Sequence, residues 1–123
     1  MNLYPLRRVD RAASRAEALE TLDAAPFVVV STADADGMPY GVPLSFVRRG
    51  NTLYFHASSE GGHKTDCFRR DHRVCATAVT DVRAFFEGGD FSTSYRSAMA
   101  FGRIREVTAP LEVKRARVEL CMK

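Results

Sequence analysis

Three apolar runs separated by two short turns limit the folds open to this chain more than any other feature of its sequence. The first run, residues 27–33 (FVVVSTA), is dominated by β-branched residues, which favour strands. The turn DADG leads to a second run at residues 38–47, and the turn RRGN leads to a third at residues 52–57. Because turns this short join neighbouring strands, the pattern predicts an antiparallel meander.

The second half of the sequence predicts two more strands. One covers residues 74–80 (VCATAVT), and a longer one covers residues 95–107. Residues 81–94 between them, which are rich in phenylalanine and glycine, are interpreted as irregular. Pro39 and Pro43 cannot donate hydrogen bonds to a strand ladder, so the run that holds them should include an edge, a bulge or a bend.

Two helices are predicted in the first 70 residues. One should begin at Ser14, which together with Glu17 has the spacing of a capping box. A shorter helix is predicted over residues 63–70 (HKTDCFRR), with Cys67 or Phe68 on its inner side.

A third helix is predicted at the end of the sequence, with Pro110 in its first turn. Its apolar stripe, expected to pack on the barrel or on a partner subunit, consists of Leu111, Val118 and Met122. The chain is therefore expected to be mainly β, of the α+β type. It should form a small antiparallel barrel with short flanking helices, as one domain over residues 1–123.

Composition narrows the class of protein. A chain of 123 residues is long enough for one hydrophobic core. The net charge of +3 comes largely from scattered arginine pairs rather than from a dense basic stripe, so no nucleic-acid partner is expected. No apolar run reaches the ~20 residues that a membrane span requires, and no secretory signal opens the sequence. Three widely spaced cysteines favour reduced thiols and a cytoplasmic location.

The stretch YFHASSEGGHKTD, residues 54–66, carries the strongest indication of function. Gly61 and Gly62 precede His63 and Lys64 at a predicted helix start, where the backbone amides lack partners within the helix. Such a helix end favours an anion, and a lysine adds a full positive charge. The spacing is not that of a Walker A loop, and a plain surface connection is an alternative interpretation.

A further alternative treats three side chains of this region as metal ligands. His63 and Cys67 are four residues apart and would share a helix face, and His56 lies nearby in the sequence. These residues lack the paired CxxC or HExxH spacings that identify strong metal sites. No metal is therefore predicted.

Three stretches together resemble a known family. They are VVVSTADADGMPYGVPLSFV (residues 28–47), LYFHASSEGGHKTDCFRRDHRVC (residues 53–75) and FSTSYRSAMAFGRIREV (residues 91–107). The chain resembles the pyridoxamine 5′-phosphate oxidase-like FMN-binding split barrels, and most closely their nitroimidazole-resistance branch. The segment around YFHASSEGGHK is the most specific part of this resemblance.

This resemblance implies a six-stranded split barrel that forms a homodimer and binds FMN in a cleft between the subunits. The cofactor-binding residues that it implies are Pro43, Leu44, Ser45, His56, Ser58, His63, Lys64, Tyr95, Arg96 and Ser97. Of these, Ser58, His63 and Lys64 would hold the flavin phosphate, and residues 43–45 would run alongside the isoalloxazine ring. Residues 95–97 would complete the site from the same subunit or from the second one. His63 is the candidate catalytic residue.

The activity implied by the resemblance is that of an FMN-dependent reductase. A reduced nicotinamide would donate the electrons, and a nitroimidazole or another small nitroaromatic would accept them. One alternative is a non-enzymatic flavin- or haem-binding protein, in which His56 or His63 would serve as an axial ligand. The other is a pyridoxamine 5′-phosphate oxidase proper, which is disfavoured because the arginine-rich substrate motifs of that branch do not appear.

The chain departs from the family pattern at its end. Family members continue past the last helix into a further strand, whereas this sequence stops at VELCMK. Either the sequence is a fragment, or the barrel closes in another way. The domain is therefore expected to lack the family's C-terminal strand.

Overall fold

The computed structural model describes residues 4–57 and 60–123 of the chain. Within them lie six strands, three α-helices and one short 3-10 turn. In chain order these are the 3-10 turn Val9–Arg11, α1 (Arg15–Ala24), β1 (Val28–Ala33), β2 (Pro39–Leu44), β3 (Phe46–Arg49), β4 (Thr52–Phe55), α2 (His63–Arg70), β5 (Arg73–Glu87), β6 (Asp90–Arg103) and α3 (Pro110–Met122).

The strands form two antiparallel sheets. One has four strands in the order β2-β1-β5-β6, and the other consists of β3 and β4. The second predicted strand is thus two strands, because the run breaks at Ser45 and its two halves join different sheets. Pro39 and Pro43 lie on β2, an edge strand, where a missing amide donor costs no ladder hydrogen bond. The count of six among the described residues corrects the five strands expected from the sequence pattern alone.

The segment predicted to be irregular, residues 81–94, is regular strand instead. It forms the outer half of a long β5–β6 hairpin that closes at Gly88 and Gly89, whose φ angles are 61° and 82°. Two consecutive glycines with positive φ suit the tight turns that match the twist of a hairpin. The ladder is interrupted only by a register shift between Thr80 and Arg83, so the alternation of apolar residues is disturbed and gives a weak signal in the sequence.

The core lies between the four-stranded sheet, α1 and the β3–β4 hairpin. Along β1, Val28 and Val30 are fully buried while Val29 between them is exposed, which is the alternation of a strand with one covered face. Phe46 on β3 is the largest fully buried side chain. The remaining buried apolar residues of this core cluster are Leu22, Ala25, Ala76, Ala78 and Ala98.

The opposite face of the four-stranded sheet is exposed, and we call it the outer sheet face. Strand register places Pro43, Val29, Thr77 and Met99 in one row across it. Met99 is 58% exposed, and two further apolar side chains of this face, Val79 and Phe101, are also exposed. Such a contiguous apolar surface is typical of an interaction site.

Helix α1 begins as predicted. The Ser14 hydroxyl accepts a hydrogen bond from the backbone amide of Glu17 at 3.2 Å, so it satisfies one orphan donor of the first turn. In α2, Cys67 is buried and Phe68 packs against the core, which agrees with the predicted inner side of that helix.

Helix α3 packs on the barrel, but not through the predicted apolar stripe; packing of that stripe on a partner subunit stays a prediction. It packs on β3 and β4 through Ala116, with Val113 and Leu120 half-buried beside it. The three residues of the predicted stripe, Leu111, Val118 and Met122, are all exposed in the single chain. A small alanine lets the helix axis approach the hairpin closely, and this gain outweighs burial of the longer side chains. The expectation that a family strand is lacking after α3 stays a prediction.

None of the helices within residues 4–57 and 60–123 combines the length and apolar character needed to cross a membrane. The cytoplasmic location stays a prediction.

Candidate functional site

The start of α2 is open to an anion. Gly61 and Gly62 precede it with φ angles of 82° and 149°, a region in which side-chain-bearing residues are strained. Among the described residues, no side-chain cap of this helix is found, and a Cβ added to either glycine would meet none of their atoms within 4 Å. Within this part of the chain, the first backbone amides of α2 therefore have no capping side chain, and there is open space beside the glycines.

Lys64 is the second residue of α2 and is half-buried, while His63 at the first position is exposed. A cationic side chain within the first turn adds to the partial positive charge of the helix start. Ser58, the third residue predicted at the phosphate, lies outside the described residues.

Two contacts attach α2 to the β1–β2 hairpin. At its start, the His63 ring meets the Tyr40 ring edge to face, with centroids 4.6 Å apart and planes at 84°. At its end, Arg70 donates a hydrogen bond of 2.6 Å from Nη2 to the backbone oxygen of Asp34. The helix start is therefore held against the strand that carries the predicted ring-binding residues.

Tyr40 is the residue of this site that sequence reasoning missed. It pairs with Thr32 of β1 in the β1–β2 ladder, and both residues are half-buried. The Thr32 hydroxyl oxygen is buried and has no hydrogen-bond partner among the described residues. Nothing in the sequence links Tyr40 to His63, since 22 intervening residues separate them and only the fold brings the rings together.

The predicted ring-binding residues lie at the other end of β2. Pro43 is on the outer sheet face and Leu44 is half-buried. Phe46 pairs with Phe55, so Ser45 and His56, the residues just before and just after this pair, lie at the same end of the β3–β4 hairpin. Four residues of extended strand, roughly 13 Å, separate Tyr40 from Leu44. This arrangement suits an elongated ligand with an anionic group at the start of α2 and a flat group at the end of β2.

Residues Tyr95, Arg96 and Ser97 are not brought to this place by the single chain. They lie on β6, at the opposite edge of the sheet from β2, with β1 and β5 between. Three strand spacings correspond to about 14 Å. Arg96 forms an ion pair with Asp81 at 3.6 Å, and both side chains are exposed. Within one chain, Tyr95, Arg96 and Ser97 therefore lie apart from the other predicted site residues.

An ion pair stabilises the segment that follows α2. Asp71 accepts hydrogen bonds from the Arg73 guanidinium at 2.7 and 3.0 Å and from the Arg73 backbone amide. These hydrogen bonds hold the pKa of Asp71 well below its usual range. The Asp71 carboxylate thus stays ionised at neutral pH, and this link is lost only as the pH falls towards the lowered pKa.

We expect the Tyr40–His63 contact to be measurable as a coupling energy. A double-mutant cycle with Tyr40→Leu, His63→Ala and the double variant should give a favourable coupling of about 0.5–1.5 kcal/mol in urea unfolding, the range for an aromatic pair. A second cycle that uses Tyr40→Phe in place of Tyr40→Leu should give a coupling energy close to zero, because phenylalanine keeps the ring and its contact with His63. A coupling of zero between Tyr40→Leu and His63→Ala would show that the two rings do not stabilise each other.

One run of the chain breaks at Ser45 and contributes a strand to each of the two antiparallel sheets, and the start of α2 lies beside β2. This arrangement is that of a split barrel. A family model described as pyridoxamine 5′-phosphate oxidase matches residues 14–122. The chain belongs to this family, as the resemblance predicted. Flavin binding is the general function that this membership indicates.

Two solved structures share the fold. A proposed 5-nitroimidazole antibiotic resistance protein from Bacteroides thetaiotaomicron aligns with a TM-score of 0.80 at 23% identity, over 90% of this chain. The flavocytochrome Anf3 from Azotobacter vinelandii aligns with a TM-score of 0.68 at 25% identity, over 89% of this chain. The chain spans 66% of the length of the first protein and 52% of the second. No curated protein sequence matches the chain significantly.

Proposed function

We propose that this protein binds FMN and works as an FMN-dependent reductase that takes electrons from a reduced nicotinamide. The observation that carries the proposal is the start of α2, which no side chain of the described residues caps and where Gly61 and Gly62 leave open space beside the backbone amides and Lys64. Of the flavins, FMN rather than riboflavin has the phosphate that such an end would bind. A nitroimidazole or a related nitroaromatic is the acceptor that we propose, by analogy with the barrel from Bacteroides thetaiotaomicron.

The described residues fit this cofactor. The amides at the start of α2 and the Lys64 ammonium group would hold the phosphate, and residues 43–45 with His56 would flank the ring system. A bound flavin supplies the redox chemistry, by accepting a hydride and passing electrons on. The role of the protein residues is to bind and orient the flavin. His63, exposed and in contact with the Tyr40 ring, would meet the flavin at its phosphate end, and its catalytic role stays a prediction.

The proposed assembly is a homodimer with the flavin between the subunits. Two observations support it: the outer sheet face is apolar and exposed, and Tyr95, Arg96 and Ser97 lie on the opposite edge of the sheet from β2 of their own chain. A partner that covers the outer sheet face would bring its own β6 towards the ligand.

Light scattering at micromolar concentration should therefore give twice the mass of the 13.7 kDa chain. A stable dimer of this kind should bury about 2,000 Å² or more in total. Met99→Glu, which places a charge on the outer sheet face, should shift the protein towards monomer, whereas Glu106→Gln on an exposed segment after β6 should not. A monomeric parent protein that still binds flavin would contradict the assembly.

A visible spectrum of the purified protein tests the cofactor. Flavin absorption bands, with FMN identified by mass analysis of the released chromophore, are the expected result. A Soret band would favour the haem-binding alternative instead. Oxidation of reduced nicotinamide that depends on a nitroaromatic acceptor separates a reductase from a non-enzymatic flavin-binding protein.

A further inference from the structure

A cavity of about 340 Å³ lies between α3 and the β3–β4 hairpin, on residues that the flavin site does not use. The residues that line it include Arg49, Tyr54, Leu111, Glu112, Arg115 and Ala116. Its volume is at the lower end of the range for small-molecule sites, about 300–1,000 Å³.

Strand register explains why the hairpin presents a polar wall to this cavity. Arg49 pairs with Thr52, and Val47 pairs with Tyr54, so Arg49 and Tyr54 project from the same face of the two-stranded sheet. The other face carries Phe46 into the core. Because α3 approaches through the small Ala116, space is left between the helix and the longer side chains opposite.

The charges in the cavity are not balanced. Glu112 accepts a hydrogen bond of 2.8 Å from the Tyr54 hydroxyl and lies 3.4 Å from Arg105. Arg49 pairs with Glu119 at 3.2 Å. Arg115 pairs with no carboxylate among the described residues. The two carboxylates already have partners, and one guanidinium is left for a ligand.

The state of Tyr54 supports this account. Donation of its hydroxyl proton to the Glu112 carboxylate raises the pKa of Tyr54 above its usual value. The phenol is therefore neutral at physiological pH, and its oxygen can still accept a hydrogen bond. The tyrosine ring, Leu111 and Ala116 supply apolar walls beside the free guanidinium.

We propose that the cavity between α3 and the β3–β4 hairpin binds a small monocarboxylate with a compact apolar body, whose carboxylate pairs with Arg115. One free guanidinium matches one negative charge in bidentate geometry. Glu112 and Glu119 would repel a second charge, so a dianion such as phosphate is disfavoured. The site is independent of the proposed flavin function.

A titration with benzoate, followed by ¹H–¹⁵N NMR, tests the proposal. Saturable shifts are expected at the amides of Tyr54, Leu111 and Ala116, with a dissociation constant in the millimolar range or below. Benzamide, which has the same shape without the charge, and inorganic phosphate should each bind about tenfold more weakly. Arg115→Gln should weaken benzoate binding by about tenfold, the effect of losing a charge-assisted hydrogen bond.

Arg117→Gln is the matched control, because Arg117 is exposed on the same helix but does not line the cavity. This variant should bind benzoate within about twofold of the parent protein. Both arginines are exposed. In the absence of benzoate, NMR spectra that match the parent protein away from the substituted residue will show that each variant keeps its fold. Absence of saturable shifts, shifts elsewhere on the surface, equal binding of benzamide, or equal losses in the two variants would each overturn the proposal.

Discussion

Replacing Lys64 with methionine is expected to weaken FMN binding by about 10- to 100-fold. Lys64 lies in the first turn of an uncapped helix that follows two glycines with positive φ. A charge-assisted hydrogen bond from its ammonium group to a phosphate should contribute about 1.5–3 kcal/mol, and each 1.4 kcal/mol is a factor of ten in affinity. Fluorescence titration of apoprotein at fixed salt concentration measures the change.

Two controls give this experiment its meaning. Riboflavin, which has no phosphate, should bind the parent protein and Lys64→Met about equally. Arg69→Met removes one positive charge from the last turn of the same helix, where the side chain is exposed, and should leave FMN affinity within about twofold. If riboflavin loses as much affinity as FMN, or if FMN affinity does not change, the phosphate is bound elsewhere.

Replacing Phe46 with alanine should lower the free energy of unfolding by about 3–5 kcal/mol. Phe46 is 1% exposed and is the largest fully buried side chain, at the place where β3 meets the main core. The Lys123 ammonium group also lies over the Phe46 ring, 3.5 Å from the ring centroid. Truncation would leave a cavity in a close-packed core and remove this cation–π contact. Because domains of this size are stable by only about 5–15 kcal/mol, the loss is a large part of the total.

Urea unfolding of three variants checks this prediction. Phe46→Leu keeps most of the buried volume and should cost less than about 1.5 kcal/mol. Tyr4→Ala removes an aromatic side chain that is 98% exposed and should change the free energy by no more than about 0.5 kcal/mol. A loss for Phe46→Ala as small as that for Tyr4→Ala would mean that Phe46 is not part of the stabilising core.

Several local features were predictable because their causes act within a few residues. The Ser14 hydroxyl reaches the amide of Glu17 across one helical turn, and this reach depends on spacing alone. Pro43 lacks an amide hydrogen wherever it is placed, so an edge strand was one of few positions open to it. Gly61 and Gly62 can adopt positive φ without strain, so the sequence alone predicted an open helix start after them.

The β5–β6 hairpin was only partly predictable. Residues 74–80 and 95–107 were predicted as strands, the second of which ends at Arg103, but residues 81–94 were not, since a register shift at residues 80–83 breaks their alternation. The outer half is nevertheless strand, because the long ladder continues through the shift to the turn at Gly88 and Gly89. Pairing with a partner strand decides the conformation here, and a single strand does not encode its own partner.

The sequence by itself determined the family, the antiparallel β character, the positions of the helix starts and the glycine-flanked loop. Only the tertiary structure decided that the Tyr40 ring contacts the His63 ring and that two strands separate residues 95–97 from β2. It also decided that α3 buries Ala116 while Leu111 stays largely exposed. The reason is that local signals depend on bonds and spacings within one stretch of chain. Which residues of distant elements meet, and which face of a helix is covered, depends instead on the shape of the surfaces that pack together, and this shape exists only once the whole chain has folded.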